Sequence, residues 1–142
     1  MIKKSKIVVI HIDALRREYL SSWLLGQKLK QQGFSVLLTS RHSTHRLLNF
    51  FTPDILLLSH VFTLSLSLLK NLQRRGTKIF INEVEGVDYD LGVSTTYPEY
   101  HTEQKIDYNL FYGIFVWGEF SYQWILKNRE INKKKLHLIG SI

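Results

Sequence analysis

The sequence predicts an α/β fold, a single Rossmann-like, doubly wound parallel sheet of about six strands with helices on both faces. Short β-branched or leucine-rich runs recur along the chain around Ile7, Val36, Ile55, Ile79, Phe115 and Leu138. They are apolar at nearly every position rather than alternating, as strands buried on both faces are. Between them the apolar residues fall at three- and four-residue spacing, and regular alternation of strand and helix implies right-handed crossovers between parallel strands.

Lys6-Ile7-Val8-Val9-Ile10 is too short for a helix and reads as a central strand. From Leu15 to Gln32 the spacing becomes helical, with Tyr19, Leu20, Trp23, Leu24 and Leu29 able to share one face and Gly33 placed to end the helix. Phe34 to Thr39 is a second strand. Arg41 to Phe51 is a short helix that Pro53 closes, because a proline disfavours helical backbone just before it. Asp54 to Ser59 gives the third strand. Leu64, Leu68, Leu69 and Leu72 mark a helix ending at Arg74-Arg75-Gly76, where basic residues suit the C-terminal dipole and the glycine can cap. Lys78 to Asn82 is the fourth strand. Gly86 to about Asp107 has few aliphatics and several turn formers, the mark of a connection that is either functional or disordered. Leu110 to Trp117 is the fifth strand, Phe120 to Arg129 a helix, and Leu136 to Ile139 the sixth strand.

A length of 142 residues suffices for one domain with a proper core and is too short for two full α/β lobes. With 44% hydrophobic and 22% charged residues, the composition is that of a globular chain rather than a disordered one. No stretch approaches the ~20 apolar residues that span a bilayer, and the start, Met1-Ile2-Lys3-Lys4-Ser5-Lys6, leads into a strand too short for a signal-peptide core. The expected location is cytoplasmic. The absence of cysteine excludes disulfides and thiolate metal sites, and the six histidines are scattered without a zinc-type pair, so neither metal nor cofactor is expected. A formal net charge of +7 favours anionic partners: nucleotides, phospholipid headgroups or nucleic acid.

In an open parallel sheet, ligands bind beyond the carboxyl ends of the strands. Those positions hold His11 and Asp13, Ser40 and Arg41, Ser59 and His60, Glu83 and Glu85, then Gly118 and Glu119, a set suited to a polyhydroxylated ligand. Wet loops account for any one of them equally well. Glu83-Val84-Glu85-Gly86 puts two carboxylates two residues apart, where one of them can hold a raised pKa for acid/base work; solvated strand-end charge is the competing account. His11 and His60 can share the strand-edge crevice as proton carriers or phosphate contacts, or serve structure alone. Arg16-Arg17-Glu18 opens the first helix, where arginine opposes the dipole unless it meets an anion. The catalytic candidates are therefore Glu85, Glu83, His60 and Asp13, and the binding candidates His11, Arg16, Arg17, Ser40, Arg41, Gly86 and Glu119. No G-x-G-x-x-G follows the first strand and there is no P-loop, so a pyrophosphate cradle of either kind is not expected.

Four segments together, Ile12 to Tyr19, Glu83-Val84-Glu85-Gly86, Phe115-Val116-Trp117-Gly118-Glu119 and Leu138-Ile139-Gly140-Ser141, resemble the N-terminal domain of the bacterial surface-carbohydrate biosynthesis proteins, which are GT-B glycosyltransferase-like. The resemblance covers essentially the whole chain. It matches the family's acidic D-E-E-G-like run at Glu85 and Gly86 and departs from it at Val84. Where the family continues through a G-N-P-R-x-D-like linker into a second lobe, this chain reaches Gly140-Ser141-Ile142. In GT-B enzymes the C-terminal lobe contacts most of the nucleotide-sugar donor, while the N-terminal lobe shapes the acceptor side. The resemblance thus implies an acceptor-side lobe of a glycosyltransferase or polyol-phosphate transferase, inactive alone, that meets a nucleotide-sugar donor only with a second lobe or partner subunit. A carbohydrate or lipid-linked acceptor follows, and no specific nucleic acid. The alternative is a non-catalytic α/β binding module docking on anionic membrane or nucleic acid. For peripheral membrane contact, the sequence offers Lys127, Arg129, Lys133, Lys134 and Lys135.

Overall fold

The computed structural model describes residues 5–60, 64–83 and 107–140. Its strands are β1 (Ile7–Ile12), β2 (Ser35–Ser40), β3 (Ile55–Leu58), β4 (Lys78–Asn82), β5 (Gly113–Val116) and β6 (Leu136–Leu138). Its helices are α1 (Leu15–Gln31), α2 (Arg41–Phe50), α3 (Leu66–Arg74) and α4 (Glu119–Asn128). The six strands pair in the order β2-β1-β3-β4-β5-β6, every pair parallel, with β1 in the interior. This is the Rossmann-like α/β sheet that the alternation of elements predicts.

Helix ends follow local chemistry. Gly33 and Gly76 adopt φ of 87° and 94°, the left-handed region that glycine enters without strain. At each, the next residue's N–H reaches back into the last turn, Phe34 to Leu29 O and Thr77 to Leu72 O, which satisfies carbonyls the helix leaves open. The fifth strand is shorter than the apolar run suggests. Tyr108–Leu110 forms a 3-10 turn instead, because Asp107 Oδ1 accepts from Asn109 N.

The two faces of the sheet are covered unequally. Leu48 of α2, Leu69 and Leu72 of α3 and Ile125 of α4 pack with Val9, Leu56, Leu58, Ile79, Ile81, Ile114 and Val116 in one continuous core, joined at its margin by Tyr122 and Trp124. No residue of α1 belongs to that cluster. Helix α1 lies across the other face of β1 and β2, where Gly26 comes so close that a Cβ there would stand 3.4 Å from Val36 Cγ1. Among the described residues α1 is the single helix on that face.

The rotation of α1 overturns the simplest reading of its sequence. Tyr19, Leu20, Trp23 and Leu24 do share a face, but it is turned away from the sheet and exposed. The buried residues of α1 are Glu18 and Gly26, with Ser21, Ser22, Leu25 and Leu29 half-buried beside them.

Candidate functional site

The strand order reverses between β1 and β3: the chain moves from β1 outward to β2, then crosses back to β3 and continues the other way. Loops diverge at such a switch point and leave a crevice beyond the carboxyl ends. Asp13 leaves β1 at that point and His60 leaves β3. Asp13 Oδ2 lies 3.5 Å from His60 Nε2, and its Oδ1 lies 3.6 Å from Arg41 Nε and 3.9 Å from His11 Nε2. One carboxylate thus gathers two imidazoles and a guanidinium from the ends of β1, β2 and β3.

Glu18 holds Asp13 in place. Its buried carboxylate accepts from the backbone N–H of Asp13 at 2.9 Å and of Ala14 at 3.3 Å, and pairs with Arg17 at 3.0 Å. A glutamate in the first turn that reaches back to the residues before the helix works as a capping box does, with Ala14 at the N-cap offering no side chain of its own. Arg17 is therefore engaged with Glu18.

His11 is fixed from the other side. Its Nδ1 lies 2.8 Å from Thr44 Oγ1, which also meets Thr39 Oγ1 at 2.6 Å and donates to Ser40 O at 2.9 Å. Thr39 Oγ1 also reaches Ile10 O at 3.4 Å, so two hydroxyls, two carbonyls and one imidazole nitrogen share this buried network. The other ring nitrogen of His11, Nε2, is turned toward Asp13. Burial lowers the His11 pKa from 6.5, opposed by Asp13 and Glu18, which keeps the ring neutral at neutral pH.

Four buried side-chain atoms of the described residues have no hydrogen-bond partner: His11 Nε2, Ser59 Oγ, Asn82 Oδ1 and Trp117 Nε1. All stand at or just beyond the carboxyl ends of neighbouring strands, where their polar capacity is left open to a ligand or to water. Ser59 and Asn82 line a cleft of about 30 Å³ with Glu18, Ser21 and Ser22 of α1, room for one or two waters. Among the described residues the site is a shallow wall rather than an enclosed pocket.

The structure therefore brings together His11, Asp13, Arg41 and His60. Of the other candidates among the described residues, it does not bring Arg16, Ser40, Glu83 or Glu119 to them. Arg16 is exposed on the outward side of α1, Ser40 Oγ bonds Ser43 Oγ, and Glu119 accepts from Gln123 one turn along α4. Glu83 is buried and its charge acts on Tyr108, whose pKa burial raises. Tyr108 belongs to the core on the α3 and α4 face. Glu85 and Gly86 lie outside the described residues. Ser59 stands at the strand end where the sequence reading puts it, whereas Thr44 and Asn82 were not placed in the site; of those two only Asn82, at the end of β4, carried a signal.

The basic run near the end of the chain is not one solvated patch. Arg129 lies over the rings of Trp124 and Tyr108, at 5.0 and 5.8 Å, and Lys135 donates to Asn109 O, while Lys133 and Lys134 are exposed. These lysines precede β6, at the amino end of the sheet and thus opposite the crevice.

Fold and site define a Rossmann-like α/β domain with a polar crevice at its topological switch point. No family model, no curated protein and no solved structure matches this chain. Among the described residues no helix is long and apolar enough to cross a membrane, and no cluster of His, Asp and Glu could hold a metal ion.

Proposed function

We propose that this domain is the acceptor-side lobe of a glycosyltransferase or polyol-phosphate transferase of surface-polysaccharide assembly, working on the cytoplasmic side. The observation that supports it is the Asp13–His60 pair at the switch point. With its Nε2 3.5 Å from Asp13 Oδ2, His60 takes the proton of an acceptor hydroxyl while the hydroxyl oxygen bonds to the sugar carbon or the phosphorus, and the nucleotide departs with the bonding electrons. Arg41 supplies positive charge for a phosphate on the acceptor. A shallow wall suits half of a cleft, the nucleotide-sugar donor being held by a second lobe or partner subunit.

NMR titration with glycerol 3-phosphate and a hexose 1-phosphate tests the reading. Shifts should centre on residues 11–13, 41 and 59–60, and Asp13→Asn or His60→Gln should weaken binding by about tenfold or more with folding unchanged. Shifts elsewhere, or binding indifferent to both substitutions, would discard it.

A further inference from the structure

Helix α1 presents to the outside what a helix on a sheet ordinarily hides. Leu15, Tyr19, Leu20, Trp23 and Leu24 are all among the exposed large apolar side chains, Leu20 at 66%. At 3.6 residues per turn they occupy about half of the helix circumference, along about 14 Å of its N-terminal half. Scattered exposed leucines need no explanation, whereas five large apolar side chains contiguous on one helix do.

The charges on this face have one sign. Its exposed charged residues are Arg16, Lys28 and Lys30, with Arg17 exposed but paired to Glu18; that sole acid of α1 is 4% exposed and bonded also to the backbone of Asp13 and Ala14. By helical position Arg16 and Lys30 fall within the apolar sector and Arg17 and Lys28 along its border. Long basic side chains can lay their stems on apolar surface and raise their charge to a headgroup layer, and tyrosine and tryptophan favour the same interface.

We infer that α1 docks this domain on an anionic lipid surface, lying in the plane of the interface with Leu20, Trp23 and Leu24 at acyl depth and its basic residues at the headgroups. Three features favour a bilayer over a second copy of the chain. Two copies joined through α1 would oppose like charges. An all-basic face and a net charge of +7 complement anionic headgroups. No other described helix on that face stands beside α1 to hold it off a flat surface. The inference is independent of the acceptor reading, since it concerns the outward side of α1 and none of the crevice groups. It also locates membrane contact away from Lys133 and Lys134, at the opposite end of the sheet.

Co-sedimentation of the whole chain with phosphatidylcholine vesicles and with mixed phosphatidylcholine–phosphatidylglycerol vesicles tests it. The wild type should bind the mixed vesicles about tenfold or more tightly than the neutral ones. Leu20→Glu with Leu24→Glu should abolish binding without lowering the melting temperature, because both side chains are already in water. Arg16→Gln with Lys30→Gln should weaken it several-fold and flatten its salt dependence, and Lys133→Gln with Lys134→Gln should leave it unchanged. Equal binding to both vesicle types, no binding to either, or loss that follows Lys133 and Lys134 would overturn the inference. So would a wild-type dimer by light scattering that the Leu20/Leu24 pair dissolves while vesicles are ignored.

Discussion

Helices α1 and α3 carry leucines at the same three- and four-residue spacing and dispose of them oppositely. In α3, Leu69 and Leu72 are completely enclosed in the core shared with α2, α4 and the strands. In α1, Leu15, Leu20 and Leu24 face out, while Leu25 and Leu29 are half-buried on the inward side together with a carboxylate, two serines and a glycine. Periodicity determines which residues share a face, and only the partners on offer determine where that face points. Turning α1 over would release Glu18 from two backbone N–H groups and would force a bulkier residue into the space where Gly26 lies against Val36 and Leu38.

The contrast can be broken most forcefully at the core helix. Leu72→Ala removes a fully buried side chain and should cost about 2–5 kcal/mol in denaturant unfolding, whereas Leu24→Ala on α1 should stay within about 0.5 kcal/mol. If the two cost the same, the orientation of α1 is not the one described.

Glu18→Ala is the sharper test of what holds α1. It strands two backbone donors and frees Arg17, with an expected loss of about 1–3 kcal/mol, and it should also loosen Asp13, seen as a weakened response of residues 11–13 to acceptor fragments. A neutral outcome would show that apolar packing alone orients the helix.

Thr44→Val probes the other face of the site. It removes the hydroxyl that meets His11 Nδ1 and donates to Ser40 O while preserving shape, for a loss of about 1–2 kcal/mol. The same change should alter the proton position on His11, which 15N chemical shifts of the imidazole report directly.

Acidification gives a smaller effect whose sign is fixed. Because the folded pKa of His11 lies below 6.5, the unfolded chain takes up a proton that the folded ring refuses as pH drops under that value. Stability present above pH 6.5 is therefore lost progressively below it, until the folded ring protonates too. In His11→Gln this part of the pH dependence should vanish; an unchanged profile would place the titration elsewhere.

The crevice was legible in part. Strand-end reasoning picks out His11, Asp13, Arg41 and His60 without any knowledge of the packing, because a parallel sheet sends all its carboxyl ends to one edge. The same reasoning treats Ser40, Glu83 and Glu119 as their equals. A side chain one residue along a strand, or part of a turn along a helix, faces the other way, and adjacency in sequence does not register that. Thr44 was illegible for a different reason: it reaches His11 only because α2 packs beneath β1, a contact across more than thirty residues of chain.

What the sequence by itself determined was everything set by local chemistry: six apolar strands, the helices between them, the glycines that end α1 and α3, and hence a parallel sheet. Tertiary structure alone decided the rotation of α1 and the meeting of Asp13 with His60 and Arg41. Both depend on long-range competition for buried hydrogen-bond partners. Glu18 takes the N–H groups at the start of α1 and thereby turns the apolar stripe of that helix outward.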